Sequence, residues 1–212
     1  MGVFGSTACF LHADGADLDL TLLQGPGTPS YSEQQQLVLR LSDAFGALAE
    51  FEAEPLAHGV RVPIVRLRHL PTALPIDVSI GNHVALHKTA LLREYVLRDG
   101  RVRPLCLLVK HWAKSRGLAD PFHGTLSSYA WVLLVIHHLQ TVPTPPVLPR
   151  LDPATLRADG PRLAPNGVSL AALLTSFFSH YAAFPLDRAV SIGTAKCPPR
   201  PEHVPFQRLY IA

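Results

Sequence analysis

Three aspartates are the residues of this sequence best suited to do chemistry together. Asp17 and Asp19 are separated by one residue, and Asp77 lies far downstream in the alternating segment 76–80. Residues two apart on a strand face the same side, so a third carboxylate on a neighbouring strand would complete an oxygen cage. Such a cage suits two Mg²⁺ ions, which take further ligands from water and phosphate and support nucleotidyl transfer. The alternative is a pair of solvated turn aspartates, because motifs this short often occur by chance.

A possible phosphate-binding turn precedes the aspartate pair. Gly5 and Ser6 follow a short apolar segment at 2–4 and are expected to open a short helix. Glycine allows backbone N–H groups to approach a phosphate, the helix N-terminus favours an anion, and the serine adds a hydroxyl donor. A simple serine helix cap has the same geometry, so both interpretations stand at this point.

Two later segments carry residues suited to a nucleotide. Lys110 and Lys114 are four apart and emerge from one helical face, and lysine binds phosphate as a point charge. Ser128 and Tyr129 stand at the start of an apolar helix, where the ring can stack on a base. A solvated lysine face and an ordinary core tyrosine are the alternatives.

These blocks in this order resemble one known family. The stretch 3–6 with the Asp-Leu-Asp pair resembles the signature of the DNA polymerase beta-like nucleotidyltransferases. The blocks LLVKHWAK (107–114) and GTLSSY (124–129) resemble the terminal uridylyltransferase and RNA-specific poly(A) polymerase family within that superfamily. The segment IDVSI (76–80) resembles the strand that carries its third aspartate.

The resemblance implies a set of roles. Asp17, Asp19 and Asp77 would be catalytic and hold Mg²⁺ or Mn²⁺, and Asp77 would accept the proton of an RNA 3′-hydroxyl. The resemblance further implies that the nucleotide, UTP or ATP, is bound by Gly5, Ser6, Thr89, Lys110, Lys114, Ser128 and Tyr129. The reaction would join the hydroxyl to the α-phosphate of UTP and release pyrophosphate.

The sequence departs from the family pattern in several places. Lys88 stands where the family usually has an asparagine that contacts the ribose hydroxyls. Phe10 replaces a common glycine and Ala16 a common serine. The resemblance also implies a chain truncated at both ends, since the segment 208–212 resembles the approach to a nucleotide-recognition segment that does not follow.

Hydrophobic periodicity predicts the elements that position these residues. Strands are expected at 2–4, from Leu18, at 61–68, at 76–80 and at 189–192. Pro63 indicates that the strand at 61–68 lies at an edge of the sheet. A capping box of Ser32 and Gln35 predicts a helix over 33–50. Further helices are expected near 84–98, 103–116, 126–142 and 168–183, and seven prolines indicate an irregular connection over 141–165.

The expected fold is α+β, with a polymerase beta-like nucleotidyltransferase sheet and helices followed by a mostly helical poly(A)-polymerase-associated domain. The change from strands to helices sets the domains at 1–84 and 85–212. The 212 residues are 48% hydrophobic and only 17% charged, which excludes a disordered chain. The three separated cysteines indicate neither a disulfide framework nor a zinc site. The adjacent His137 and His138 are expected to have packing or surface roles.

The family resemblance therefore implies an RNA 3′-terminal uridylyltransferase. The alternatives are a poly(A) polymerase that uses ATP, transfer of a nucleotide to a small molecule or protein, and an inactive RNA-binding scaffold with the same fold. Expected partners are UTP or ATP and an RNA 3′ end, with Arg61, Arg66 and Arg68 as candidate RNA contacts or a solvated strand face. No apolar run approaches the ~20 residues of a membrane helix, so an intracellular protein, cytoplasmic or mitochondrial, is expected.

Overall fold

The structure is a computed structural model that describes residues 1–25, 27–160, 162–185 and 187–199, and the backbone of 210–211. It divides into two compact units, Met1–Arg93 and Glu94–Ala212. We call these the strand unit and the helical unit. The division falls nine residues after the domain boundary expected from the sequence, and the assignment of a function to each domain stays a prediction. Residues 208, 209 and 212 of the expected final segment lie outside the described residues.

The strand unit is built on one mixed five-stranded sheet. Its elements in chain order are β1 (Gly2–Phe4), α1 (Gly5–Ala8), β2 (Leu18–Leu22), α2 (Tyr31–Gly46), β3 (Phe51–Leu56), β4 (Ile64–His69) and β5 (Leu74–Ile80). The strand order is β1-β2-β5-β4-β3. Strands β2 and β5 are parallel, and the other neighbouring pairs are antiparallel. The sheet therefore places the expected third-aspartate strand directly beside the strand of the Asp pair.

One face of the sheet carries the apolar core. Alternate residues of the central strands, among them Val65, Leu67, Val78 and Ile80, are buried against Val38 of α2. Because side chains alternate across a strand, the residues between them lie on the opposite face, and these include the charged ones. The sheet thus has an apolar face that packs against α2 and an opposite face that carries Asp19, Glu54, Arg66 and Asp77. We call the second one the chemical face.

Helix α2 starts earlier than the sequence predicted. The hydroxyl of Ser30 accepts a hydrogen bond from the Glu33 backbone N–H at 3.3 Å, and the Glu33 carboxylate accepts one from the Ser30 N–H at 2.7 Å. This reciprocal capping box replaces the one expected at Ser32 and Gln35, which was wrong because both residues lie inside the helix. The helix ends at residue 46 rather than 50.

The sequence also missed an edge strand. Strand β4 begins after Pro63 and pairs on both sides, so the expectation that it lies at the edge was wrong. The edge on this side of the sheet is β3, which contains Pro55. Proline is tolerated there because, among the described residues, one side of the strand has no ladder partner. The sequence did not predict β3, because the preceding helix was expected to extend to residue 50, directly before the strand begins.

The helical unit contains most of the remaining elements. Helix α3 (His83–Arg98) contributes residues to both units. It is followed by α4 (Val102–Ser115), a 3₁₀ turn (Pro121–His123), α5 (Ser128–Thr141), the short pair β6 (Arg150–Leu151) and β7 (Ala158–Asp159), and α6 (Leu170–Ala182). Strands β8 (Ala189–Val190) and β9 (Tyr210–Ile211) pair in parallel. The small β6–β7 hairpin lies inside the connection that was expected to be irregular throughout.

Helices α4, α5 and α6 pack together through aromatic side chains. Trp112 of α4 meets Trp131 of α5 edge-on at 5.7 Å between ring centroids, and it meets Phe178 of α6 at 4.6 Å. The interior of α5 is almost entirely buried, including its apolar run from Val132 to Ile136. Among the described residues, no helix combines the length and apolarity needed to cross a bilayer.

Candidate active site

The three predicted aspartates lie at one end of the chemical face. Asp19 of β2 and Asp77 of β5 are direct register partners on the two parallel strands. Asp17 precedes β2 by one residue and is exposed, while Asp19 and Asp77 are half-buried. The sheet therefore brings together two residues that are 58 positions apart in the sequence, with Asp17 next to them.

The electrostatics of the site follow from this crowding. Burial, which acts most strongly, and the nearby carboxylates of Asp77 and Asp17 together raise the pKa of Asp19 to about 6. Burial also raises the pKa of Asp77, with Asp17 adding to the shift and Arg66 opposing it. Negative charge is thus concentrated where water is partly excluded, which is the condition under which a cation is most strongly favoured.

Gly5 forms the turn that presses against Asp19. Its φ is +73°, a left-handed conformation that L side chains rarely adopt. A Cβ built there would fall on the Oδ2 atom of Asp19 and within 2.6 Å of its Cγ. Only glycine allows this close approach, so the backbone of the turn and the carboxylate form one rigid arrangement.

Thr89 supports the same turn from helix α3. The Gly5 backbone N–H donates to the Thr89 Oγ1 at 3.0 Å, and Thr89 is only 8% exposed. Helix α1 (Gly5–Ala8) then begins as the sequence predicted, with Ser6 half-buried in its first turn. The threonine expected near the nucleotide therefore also fixes the conformation of the Gly-Ser turn, a role that no local sequence pattern indicates.

The helical unit carries the other four predicted residues on two helices. Lys110 is half-buried and Lys114 exposed on α4, as the i, i+4 spacing predicts. Ser127 caps α5 by accepting a hydrogen bond from the Ala130 N–H at 3.1 Å, while Ser128 is exposed beyond the cap. Tyr129 is 38% exposed, so it is not the ordinary core tyrosine that was the alternative.

Arg66 lies on an exposed strand face and is paired with acidic side chains. The sequence offered it as an RNA contact or as part of a solvated strand face; its side chain is 53% exposed, its Nε lies 3.6 Å from the Asp77 Oδ1, and its Nη1 lies 4.0 Å from a Glu54 oxygen. Arg68, two residues along β4, lies 3.6 Å from a Glu52 oxygen. The strand pairing decides these contacts, and only the correct register of β3, β4 and β5 could have revealed them from the sequence.

The donor set fits a hard divalent cation. Within the described ranges, no three His, Cys, Asp or Glu side chains form a ready metal cage. Mg²⁺ nevertheless needs only one or two carboxylates from the protein, because it keeps waters and takes phosphate oxygens. The paired Asp19 and Asp77, with a pKa raised in each case partly by a neighbouring carboxylate, supply that oxygen-only set.

Comparison with known proteins gives a consistent picture. Residues 1–97 match the family model of the mitochondrial-like poly(A) RNA polymerase central palm domain. The mouse poly(A) RNA polymerase GLD2 is 34% identical over 181 residues, which cover 77% of this chain and 37% of that protein. The Schizosaccharomyces pombe terminal uridylyltransferase Cid1 is 34% identical over 200 residues, covering 84% and 48%.

Solved structures agree with the sequence relatives. The Cid1 poly(U) polymerase with Mg and 3′-dATP bound superposes with a TM-score of 0.76 at 32% identity, covering 90% of this chain and 64% of that one. The fold of mtPAP, determined in complex with UTP, matches with a TM-score of 0.85 at 23% identity over 99% of this chain and 52% of that one. The predicted α+β fold is thereby confirmed.

This chain spans less than half the length of GLD2 and of Cid1. The family model nevertheless matches residues 1–97, a range that includes all three aspartates, and one relative named a poly(A) polymerase and one named a uridylyltransferase are each 34% identical to this chain. The resemblance seen in the sequence is therefore confirmed, and this chain belongs to the family of terminal uridylyltransferases and RNA-specific poly(A) polymerases.

Proposed function

We propose that the protein is an RNA 3′-terminal nucleotidyltransferase that prefers UTP. The observation that carries the proposal is the direct pairing of Asp19 and Asp77 on adjacent parallel strands, beside a glycine turn with room for no side chain. That arrangement concentrates oxygen ligands next to backbone that can approach a phosphate. The printed activities of the relatives, a poly(A) RNA polymerase and a terminal uridylyltransferase, support the reaction class.

In this proposal Asp17, Asp19 and Asp77 hold the divalent ions, Mg²⁺ or Mn²⁺. When bound, such ions stabilise the charge that develops on the attacking and leaving oxygens. Asp77 also accepts the proton of the RNA 3′-hydroxyl. Burial raises the pKa of this carboxyl group, which makes it a stronger base than an exposed aspartate.

The family motifs also assign residues to the parts of the nucleotide. By these motifs the triphosphate is held by Gly5, Ser6, Lys110, Lys114 and Ser128. Tyr129, which is 38% exposed, stacks on the base. The hydroxyl oxygen bonds to the α-phosphorus, the bond to the β-phosphate oxygen breaks, and pyrophosphate leaves. Thr89 acts on the same turn by fixing the Gly5 backbone.

Arg61 is the strongest candidate for contact with the RNA backbone. Of the three arginines expected in that role, Arg66 and Arg68 are paired with acidic side chains. Arg61 instead lines a cavity of about 460 Å³ in the strand unit together with Lys88, Asn82 and Gln34. Two cationic and two amide side chains suit a phosphodiester, and Lys88 is one of the residues at which the sequence departs from the family pattern.

The preference for UTP rests on the family motifs alone, which ATP-using relatives share. Poly(A) polymerase activity is therefore the second candidate for the same site. An inactive RNA-binding scaffold is the candidate of another class. We propose an intracellular protein, in the cytoplasm or in mitochondria, because the relatives and solved neighbours include a mitochondrial-like polymerase domain.

The test is extension of a labelled RNA oligonucleotide with Mg²⁺ and each nucleoside triphosphate separately. Asp77→Asn should lower the rate on the order of 10³-fold, about 4 kcal/mol of barrier, because it removes a ligand and the proton acceptor. Asp14→Asn, an exposed aspartate of the same unit, is the matched control and should be unchanged.

Each result decides one part of the proposal. No extension by the folded wild-type chain with any nucleotide overturns the enzymatic function and favours the scaffold, which a gel-shift assay with the same RNA would then detect. Extension by Asp77→Asn at more than a tenth of the wild-type rate overturns the assignment of the aspartates. Equal rates with UTP and ATP remove the uridylyl preference.

A further inference from the structure

The chemical face of the sheet carries a row of charges that crosses four strands. Glu54 of β3 pairs in register with Arg66 of β4, Arg66 pairs with Asp77 of β5, and Asp77 pairs with Asp19 of β2. Asp77 therefore has a carboxylate on one side and a guanidinium on the other. Directly opposite residues in a sheet have Cβ atoms about 5 Å apart, so each neighbour acts on Asp77 strongly.

The two neighbours act on the Asp77 carboxylate in opposite ways. Asp19 repels it, while Arg66 attracts it with Nε 3.6 Å from Oδ1. An aspartate side chain has two rotatable bonds, and a repelling neighbour alone would not fix its orientation. A contact from the opposite side fixes the orientation of the carboxylate, and here the Arg66 Nε contacts the Oδ1 atom of Asp77. The Nη1 of Arg66 lies 4.0 Å from Glu54, which holds the guanidinium in turn.

Orientation of a ligand carboxylate has large consequences for a transfer reaction. A misplacement of about 1 Å at a reacting centre can cost on the order of 10²-fold in rate. Sites that work well hold their contacting side chains with a second layer of ion pairs or hydrogen bonds. Arg66 is the described residue that supplies such a contact to Asp77.

We propose that Arg66 is a positioning residue, which holds the Asp77 carboxylate in the orientation that the transfer reaction requires. The inference rests on the proposed function and deepens it. Arg66 touches neither nucleotide nor RNA in this role. It acts through Asp77, and Glu54 keeps the guanidinium in place.

Arg68 provides a natural control on the same strand. It lies on the same face two residues along, and its side chain is 58% exposed against 53% for Arg66. Like Arg66, it pairs with a glutamate of β3, here Glu52 at 3.6 Å. On β5, however, its register partner is Pro75 rather than an aspartate. The two arginines differ chiefly in the residue that faces them on β5, which is Asp77 for Arg66 and Pro75 for Arg68.

The experiment compares Arg66→Gln, Arg66→Lys and Arg68→Gln with the wild-type chain at pH 8, where the carboxylates are ionised. Two quantities are measured: kcat and KM for UTP in the RNA extension assay, and Mn²⁺ affinity by calorimetry without nucleotide. Circular dichroism melting of each variant checks the fold.

Arg66→Gln should lower kcat about tenfold with KM for UTP within about twofold, because orientation is lost but nucleotide contacts remain. It should also bind Mn²⁺ about two- to fivefold more tightly, because a positive charge next to a ligand oxygen is removed. Arg66→Lys should recover wild-type Mn²⁺ affinity and part of kcat. Arg68→Gln should leave both quantities within about twofold of wild type.

A merely structural role would not slow catalysis while strengthening ion binding. Equal kcat and Mn²⁺ affinity in Arg66→Gln and Arg68→Gln, with an active wild type, overturn the role of Arg66 and leave the proposed function standing. No extension by wild type with any nucleotide overturns the proposed function, and the positioning role with it.

Discussion

The strand unit and the helical unit each contain a cluster of titratable groups, and burial shifts the pKa values of the two clusters in opposite directions. In the strand unit, burial and like charge raise the pKa of Asp19 to about 6, and Asp19 stays half-exposed at the edge of the chemical face. In the helical unit, burial lowers the pKa of His137 and of His138 to about 4, and both rings are fully enclosed. Each cluster is shifted toward its neutral form.

The surroundings of the two clusters show that the aspartates form a candidate site, whereas the histidines belong to a packed core. His137 lies 3.1 Å from the Tyr181 hydroxyl and His138 lies 2.9 Å from the Ser176 hydroxyl, and aromatic rings of α6 cover them. The histidines are thus neutral polar members of a packed interior, as the sequence interpretation expected. The aspartates instead lie on a face that solvent reaches. Like charges lie close together in both clusters, so accessibility is what distinguishes the candidate site from the packed histidines.

The largest effect expected in this comparison is that of Gly5→Ala. The new Cβ would displace the Asp19 carboxylate, and the left-handed backbone would cost about 1 kcal/mol in addition. We expect RNA extension to fall on the order of 10²-fold. Gly15→Ala is the matched control, because Gly15 has a φ of +72° and no heavy atom near the added Cβ.

In calorimetry both glycine variants should lose stability through the shared backbone penalty of about 1 kcal/mol, and Gly5→Ala should lose more, because its Cβ also meets Asp19. Only Gly5→Ala should lose activity. A similar loss of activity in Gly15→Ala would mean that backbone strain, rather than the contact with Asp19, limits the reaction.

The next effect concerns the histidines and is one of stability. In the unfolded chain a histidine has a pKa near 6.5, so between pH 6.5 and 4 the unfolded state binds more protons than the native state. The histidine contribution to stability is therefore complete above pH 6.5 and is lost as the pH falls toward 4. The full loss approaches roughly 3 kcal/mol for each of His137 and His138.

Urea unfolding followed by tryptophan fluorescence measures this effect, because Trp112 and Trp131 both lie in the helical unit. His138→Gln should lower stability at pH 7.5 and reduce the dependence on pH by about a third to a half. His111→Gln, an exposed histidine of α4, is the control. An undiminished pH dependence in His138→Gln would assign the titration to other groups.

Much of the fold and of the site could be predicted because the information is local. Periodicity located α3 to α6, β1, β2 and β5 within about three residues, and the Gly-Ser turn followed from residue types alone. Strand β3 and the true capping box were missed for a local reason as well. Ser30 and Ser32 both precede a Glu or Gln at the right spacing, and only the folded chain selects between them.

Pairing across the sheet is what the sequence could not supply. That Asp19 meets Asp77, and that Arg66 meets Asp77 while Arg68 meets Pro75, depends on strand order and register. A shift of one residue would turn Arg66 to the other face of the sheet. The contact between Gly5 and Thr89 likewise joins residues 84 positions apart.

The smallest expected effect concerns the contact between Phe10 and Arg93 in the strand unit. Phe10, which replaces a common family glycine, adopts a φ of +62° just after the Gly-Ser helix. The guanidinium of Arg93 lies 4.5 Å from the centre of its ring. A left-handed phenylalanine costs about 1 kcal/mol, and a cation–π contact returns about 0.5–1 kcal/mol.

Phe10→Gly should therefore change the free energy of unfolding by less than about 1 kcal/mol, since relief of strain offsets the lost contact. In a double-mutant cycle with Arg93→Ala, calorimetry should give a coupling energy of about 0.5–1 kcal/mol. Activity of Phe10→Gly should stay within about twofold, because glycine adopts the same left-handed backbone without a steric penalty. A coupling energy near zero would show that Arg93 does not offset the strain at Phe10.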